Sequence, residues 1–461
     1  MDKNIKKSSL TEGAIGKLIF KLSLPMIIAQ VINLLYNMVD RIYIGNYNGE
    51  EGLVAIGGVG ACFPIIIIIS AFAALFGMGG SPLSAIALGN KDQEKAEKIL
   101  NHSVILLTII ALILIPILLI FKEDILYAFG ANSENIKYAS EYLNIYIIGT
   151  LFVMFSLGLN QYITCQGKAV FAMASVIIGA VLNIALDPLF IYAFDMGVKG
   201  AALATIISQG VSAVFIVWFL RSKRSVIKIR PFSYKLDMKI IKPVFFLGLS
   251  PFIMQSTEAL VQITFNSQIK HYITDLNEQT MYLSAMTIMI SIMSLINMPL
   301  QGLAQGTQPI ISQNYGAGLM DRTKEASRKL IVYCLIFSFI FVGILYIFPS
   351  VFVKIFNNNS DLINLTTKLI RVFFIGMAFM GIQIGCQNSF LALGKSKISL
   401  FLAILRKIVL LIPLTFILPL FLNSNGIFIA ESAADILAIS ITLIAYLCLF
   451  KKYLCEKKSV K

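Results

Sequence analysis

Runs of roughly twenty apolar residues recur along nearly the whole of this 461-residue chain, each long enough to cross the hydrocarbon core of a bilayer as a helix. No other feature constrains the fold as strongly, because a backbone inside lipid must satisfy its own hydrogen bonds. Only 13% of the residues are charged and 57% are hydrophobic, too little charge to cover a soluble protein of this size. A membrane β-barrel would instead show short segments of alternating polarity. The pattern predicts about twelve helical spans, among them a fourth near 138–163 and a tenth near 366–392.

The formal net charge of +14 invites a nucleic-acid reading, but its placement argues against one. Most Lys and Arg fall in alternate inter-span segments, a positive-inside bias that predicts both termini in the cytoplasm and the chain in the inner (plasma) membrane. The richest segment, "RSKRSVIKIRPFSYKLDMKIIK" at 221–242, reads as a topology signal and a linker resting on anionic lipid. The start, "MDKNIKKSSLTEGAIGK", lacks a short apolar region with a small-residue cleavage site, so no cleaved signal is expected. Six scattered cysteines form no CxxC pattern, and His102 and His271 stand far apart, so neither a disulfide framework nor a zinc site is supported.

The basic segment lies mid-chain, and the two sides repeat across it. "GTLFVMFSLGLNQYITCQGKA" (149–169) aligns without a gap on "GMAFMGIQIGCQNSFLALGKS" (376–396), pairing Gly149 with Gly376 and Gly167-Lys168 with Gly394-Lys395. "GSPLSAIALGN" (80–90) resembles "GTQPIISQNYGA" (306–317), and "GAALATIISQ" (200–209) parallels "GIFIAESAAD" (426–435). Six spans per repeat is even, so both repeats start on the same side and are parallel. The expected fold is an all-α polytopic membrane protein of 12 transmembrane helices in two six-helix bundles. The expected divisions are an N-terminal lobe at 1–225, a basic cytoplasmic linker at 226–242 and a C-terminal lobe at 243–461. Two such bundles enclosing a cavity can alternate its access by rocking.

The chain resembles the multidrug and toxic compound extrusion (MATE) transporters, specifically the bacterial multidrug branch. The resemblance rests on "LPMIIAQVINLLYNMVDRIYIG", "GMGGSPLSAIALGNKD", "QGKA", "NIALDPLF" and "GVKGAALATIISQ", and with the repeat it covers essentially the whole chain. It implies export of cationic amphipathic drugs and toxic compounds in exchange for Na+ or H+, with no other cofactor.

The carboxylates can be weighed without the family. Within spans lie Asp40, Asp187, Glu258, Glu431 and Asp435. An ionised group there costs about 2.5–3.5 kcal/mol on insertion scales, so each should face a cavity or a partner. Asp40, Asp187 and Thr205 fall at matching depth, roughly 8–9 Å from one surface at the helical rise. Asn183 lies one turn from Asp187 on the same face. Pro188 has no N–H for the carbonyl of Ile184, leaving that oxygen available as a ligand. Two carboxylates, an amide oxygen and a hydroxyl make a hard-oxygen set suited to a small cation. The two acids cannot easily both stay ionised when the pocket is empty, so a proton can replace the metal ion. The resemblance agrees residue by residue: Asp40, Asn183, Asp187 and Thr205 match the cation site of many prokaryotic MATE proteins, with Na+ the metal expected there. Arg41 is expected to mark a helix end or a lobe contact, with no transport role.

The second repeat differs, with Asn266 at the position of Asp40 and Glu431 at that of Thr205. Glu258, Glu431 and Asp435 are candidates for substrate recognition or proton coupling; Glu258 also resembles an acidic position of another MATE branch. Adaptable side chains suited to varied organic cations are Gln30, Asn33, Tyr36, Asn37, Met38, Met154, Asn160, Gln161, Gln255, Gln262, Met289, Met293 and Gln301. The expected partners are small organic cations, the coupling ion and membrane lipid, with no nucleic acid, and the chain is expected to act as a monomer. A lipid or polysaccharide flippase of the same superfamily is the alternative; it would favour Arg and Lys over acids in the cavity. No DDxxD motif supports an integral membrane enzyme, no GxxxxGK[ST] loop supports ATP as the energy source, and no catalytic residue is assigned.

Overall fold

In the computed structural model, residues 10–47, 50–230 and 235–459 are described. The first nine residues of the basic start, and 231–234 within the linker, lie outside them. The described residues are overwhelmingly helical and contain no strand. Ten helices are long and apolar enough to cross a membrane, and two bent pairs complete twelve spans. In chain order these are α1 (Ile15–Gly45), α2 (Val54–Gly89), α3 (Gln93–Ala128), α4 (Ile136–Ile148 with Thr150–Thr164), α5 (Ala169–Ala193), α6 (Val198–Arg221), α7 (Met238–Tyr272), α8 (Leu276–Ala317), α9 (Met320–Ile347), α10 (Ser360–Phe373 with Gly376–Ala392), α11 (Ser396–Leu422) and α12 (Ser424–Cys455).

The expected fourth and tenth spans are the bent ones, by 59° and 47°. Both bends sit at the repeat-paired glycines Gly149 and Gly376, where a side chain would collide with the sixth span of its own repeat. A Cβ on Gly149 would strike Ile206 and one on Gly376 would strike Asp435. Ser432, the repeat counterpart of Ile206, also faces Gly376. Ser432 secures the second bend: its hydroxyl donates to the carbonyls of Val372 and Phe373 and accepts from the Gly376 N–H. These are backbone groups that a break in a helix leaves without partners.

The compact units do not follow the expected divisions. Apart from Leu10, the described part of the first is Ile28–Ser256, and the second combines Thr11–Ile27 with Thr257–Lys461. Each unit therefore takes the opening stretch of the other repeat's first helix. The cause is close backbone packing, which composition does not reveal. In the first unit, a Cβ on Gly248 of α7 would overlap the Leu75 carbonyl of α2, and Phe72 meets Phe252 edge-on at 4.9 Å. In the second, a Cβ on Gly306 of α8 would overlap Ser23 of α1. The Ser23 hydroxyl donates to the Leu303 carbonyl at 3.0 Å.

The linker is fastened to the first unit rather than merely laid along a surface. Ser225, Ile227 and Ile229 are buried while Val226 and Arg230 are exposed, the alternation of an extended chain. Gln166 Oε1 accepts from the Ser225 hydroxyl and from the N–H groups of Val226 and Ile227. Glu97 accepts from Lys228 N–H, and Asn101 bonds Lys228 and Arg230. His102 is a buried residue within α3, and its Nε2 accepts from Asp237 N–H at 2.9 Å. All six cysteines are free, and Cys448 and Cys455 are the exposed pair.

Candidate functional site

In the first unit, α5 carries Asn183 and Asp187 on one buried face, and α6 presents Thr205 to them. Asp187 is fully buried and Asn183 nearly so. The Asn183 amide donates to Asp187 Oδ1 at 3.1 Å and approaches Thr205 Oγ1 at 3.4 Å. The helix spacing of four residues accounts for the first contact. After Pro188 the chain continues as a wider π turn over Leu189–Ala193. Asp40 projects from α1, with its carboxylate in electrostatic range of Asp187.

Three oxygens of this group, Asp40 Oδ1, Asn183 Oδ1 and Asp187 Oδ2, are buried without a hydrogen-bond partner among the described residues. An unsatisfied buried acceptor typically costs about 1–3 kcal/mol, and more when charged. Two on a pair of acids and one on the neighbouring amide therefore define an environment that a cation or a proton would relieve. Among the described residues no three His, Cys, Asp or Glu side chains converge on a metal position. Two carboxylates with neutral oxygens suit a single small hard cation.

Neighbouring aromatics complete the wall. Tyr36, one turn before Asp40, lies near both acids and beside Gln209 of α6. Tyr142 of α4 is near Asp40 and within hydrogen-bonding reach of Thr205. The end of α1 is pinned to α5 by the Tyr192 hydroxyl, which donates to the Tyr43 carbonyl at 2.7 Å. Beyond it, the Tyr47 hydroxyl donates to Asp195 at 2.8 Å. Arg41 lies 4.2 Å over the ring of Phe63, a cation–π contact within the same unit, and stays in electrostatic range of Asp40. Gln209 and Tyr142 were not among the expected site residues. Gln209 falls one turn beyond Thr205, a spacing visible in the sequence, whereas α4 carries no polar pattern that singles out Tyr142.

The acids of the second unit have partners. Arg406 Nε donates to Asp435 at 2.7 Å, and its Nη2 lies 3.3 Å from Glu431. Lys407 pairs with Glu258. Both cations were overlooked in "LFLAILRKIVLLIPLTF", where only acids were weighed, although an intramembrane base deserves the same attention. They occupy a π-helical stretch, Leu405–Leu411. Its i→i+5 bonds widen the turn, a feature frequent at functional sites.

The adaptable side chains separate by burial. Met154 and Met289 are fully enclosed in their own units and serve as core, because each fills space between packed helices. Asn160 is also buried, donating to the Ala172 carbonyl at 3.2 Å. Asn37 donates to the Asn33 carbonyl at 2.6 Å. Met38 and Gln262 are exposed, and Gln30, Asn33, Asn37, Gln161, Gln255, Met293 and Gln301 are half-buried.

Comparison with known proteins agrees with the fold and the repeat. The MatE family model matches residues 25–189 and 252–417, one segment in each repeat. The multidrug export protein MepA of Staphylococcus haemolyticus is 24% identical over 442 residues, covering 96% of this chain and 94% of MepA. Its counterpart from Staphylococcus saprophyticus is 25% identical over 444 residues, covering 96% and 95%. A solved multidrug resistance MATE transporter in an outward-facing conformation superposes with TM-score 0.89 at 25% identity, covering 98% of this chain and 99% of that one. A MATE structure in a bent conformation gives TM-score 0.89 at 25% identity, covering all of both chains. With family segments in both repeats and a like fold along its whole length, the chain is a multi-pass membrane protein that belongs to the MATE family of multidrug efflux transporters.

Proposed function

We propose that the chain is a secondary antiporter that exports cationic amphipathic compounds in exchange for Na+ or H+, with the two lobes alternating access to the substrate. The single observation that carries the coupling site is the set of unpartnered oxygens on Asp40, Asn183 and Asp187, with Thr205 beside them. An inward-moving cation entering this set relieves buried acceptors, and its release restores them, so occupancy changes the energy of the first unit. Asp40 and Asp187 carry the charge, Asn183 and Thr205 supply neutral oxygens, and Tyr36 and Tyr142 line the approach. The half-buried Gln30, Asn33, Asn37, Gln161 and Gln255, with exposed Met38, offer polar and polarizable contacts for organic cations. Glu258, Glu431 and Asp435 supply negative charge for substrate recognition or proton coupling in the second unit. The protein acts as a monomer in the plasma membrane with both termini in the cytoplasm, as the basic segments indicate.

The flippase reading calls for buried cations available to anionic head groups. Lys407 is buried and Arg406 largely so, and both already hold carboxylates, which favours the export of cations.

The test is uptake of a fluorescent organic cation into inverted vesicles, with sodium and proton gradients imposed separately. Uptake driven by either gradient is expected; export of an anionic lipid with no cation uptake would favour the flippase. Orientation has its own check, since exposed Cys455 near the end of α12 should react with an impermeant maleimide only from the cytoplasmic side.

A further inference from the structure

The second unit contains an ion-pair cluster whose two ends differ in access. Lys407 is deeply buried, its side chain 5% exposed, whereas the Glu258 side chain it holds is 51% exposed. The lysine therefore approaches the carboxylate from inside, and the outer side of Glu258 stays open. Beside it, Arg406 spans Glu431 and Asp435. Three carboxylates thus face two tethered cations, which leaves room for one more positive charge. The π-helical Leu405–Leu411 stretch makes this possible: consecutive residues serve different helices, Arg406 turning to α12 and Lys407 to α7. The acids of the first unit stand at other positions of the repeat; among the described residues no lysine pairs with Asp40 or Asp187, and Asp40 Oδ1 and Asp187 Oδ2 are unpartnered.

We propose that Lys407 is a tethered counter-ion, which holds Glu258 between transport events and yields it to an incoming organic monocation. The proposal rests on the export reading and deepens it: Glu258 is the carboxylate that recognises the cationic centre, and Lys407 sets the threshold a substrate must exceed to take it. A weakly hydrated, bulky organic cation competes well, because it sheds little hydration on reaching the half-exposed carboxylate. A small, strongly hydrated ion competes poorly, so the second unit needs no coupling ion of its own. The amine stays attached to the chain and restores the pair once the substrate leaves.

The test uses full-length protein in lipid nanodiscs with tetraphenylphosphonium as the probe. A carbodiimide activates a carboxylate and joins it to a touching amine as an amide, with loss of water to the reagent. Mass spectrometry should detect a Glu258–Lys407 link, and saturating tetraphenylphosphonium should lower its yield several-fold while the same concentration of sodium chloride does not. Lys407→Met should bind the probe about tenfold more tightly, and adding Glu258→Gln should abolish that gain, as expected of one coupled pair. A link yield unchanged at saturating probe would overturn the proposal, as would a gain in Lys407→Met that survives Glu258→Gln. Gradient-driven uptake by wild-type proteoliposomes, measured in parallel, tests the export reading separately. Uptake with an unaltered link yield overturns the tethered counter-ion alone; a suppressed link without uptake supports it and removes the export reading.

Discussion

In the first unit the fifth span, α5, carries the acid, and Asp187 meets the neutral Asn183 and Thr205. In the second unit the corresponding span, α11, carries cations, and the acids stand on α12 and α7. The backbone framework is shared, down to the paired bends at Gly149 and Gly376. What differs is whether charge is balanced internally. The first unit leaves oxygens open, which on the proposed function are filled by an arriving ion; the second brings amine and guanidinium on its own chain. A duplicated fold can thus divide labour without changing its helices, because buried charge needs a partner but does not dictate where the partner comes from.

The largest effect that could break this contrast is on transport. Asp187→Asn keeps the shape and removes the charge, and gradient-driven uptake should fall by roughly tenfold or more. Asp40→Asn should do the same, and, on the proposal that the two hold one ion, the double variant should be little worse than either. Wild-type uptake in well-expressed Asp187→Asn protein would remove the first unit's coupling role and shift attention to the second.

Stability separates the units next. Arg406→Met leaves Glu431 and Asp435 buried with their shared guanidinium gone, a loss of about 3–5 kcal/mol for such a broken pair. Thermal unfolding in detergent should drop accordingly, and adding Glu431→Gln and Asp435→Asn should recover part of it. Asp187→Asn should leave the melting temperature nearly unchanged or raise it, because it removes an unbalanced charge. Equal destabilisation by both substitutions would erase the distinction between open and self-balanced acids.

A smaller effect is expected at the linker. Gln166→Ala removes one acceptor oxygen serving three groups of 225–227 and should cost about 1–3 kcal/mol. Faster amide exchange confined to this segment would be the readout. The smallest concerns Thr205→Val, which preserves volume and deletes one neutral oxygen while both carboxylates remain. Apparent affinity for the coupling ion should weaken only a few-fold, with maximal uptake retained; complete loss would mean that Thr205 matters more than an auxiliary ligand should.

The sequence carries the spans plainly, because apolar length is a local property. It also points to the candidate site of the first unit, where Asn183 meets Asp187 and Thr205, since an Asp followed by Pro within a span, with Asn one turn before, is costly unless used. The bend glycines are visible as repeat pairs, but the bends are set by Ile206 and Ser432 on another helix, which no window around Gly149 or Gly376 contains. The exchange of opening segments between units is hidden for a similar reason: the charge run at 221–242 looks like a boundary, while the packing at Gly248 and Gly306 involves residues more than a hundred positions away. Arg406 and Lys407 are legible as bases inside an apolar span, but their carboxylate partners on α12 and α7 lie far away in sequence, so their pairing is not.

The fastening of the linker has a consequence for dissecting the molecule. Residues Ser225–Arg230 and Asp237 are bonded to α3 and to Gln166 just past α4, and the first unit then continues into α7 as far as Ser256. A chain severed at the basic segment would therefore not yield two self-sufficient fragments. The leading fragment would lack Met238–Ser256, leaving α2 with an uncovered groove at Leu75, and the trailing fragment would lack Thr11–Ile27, leaving another at Gly306. Co-expressed fragments could regain native packing only by each lending a helical stretch to the other, so reassembly itself would select for the correct pairing.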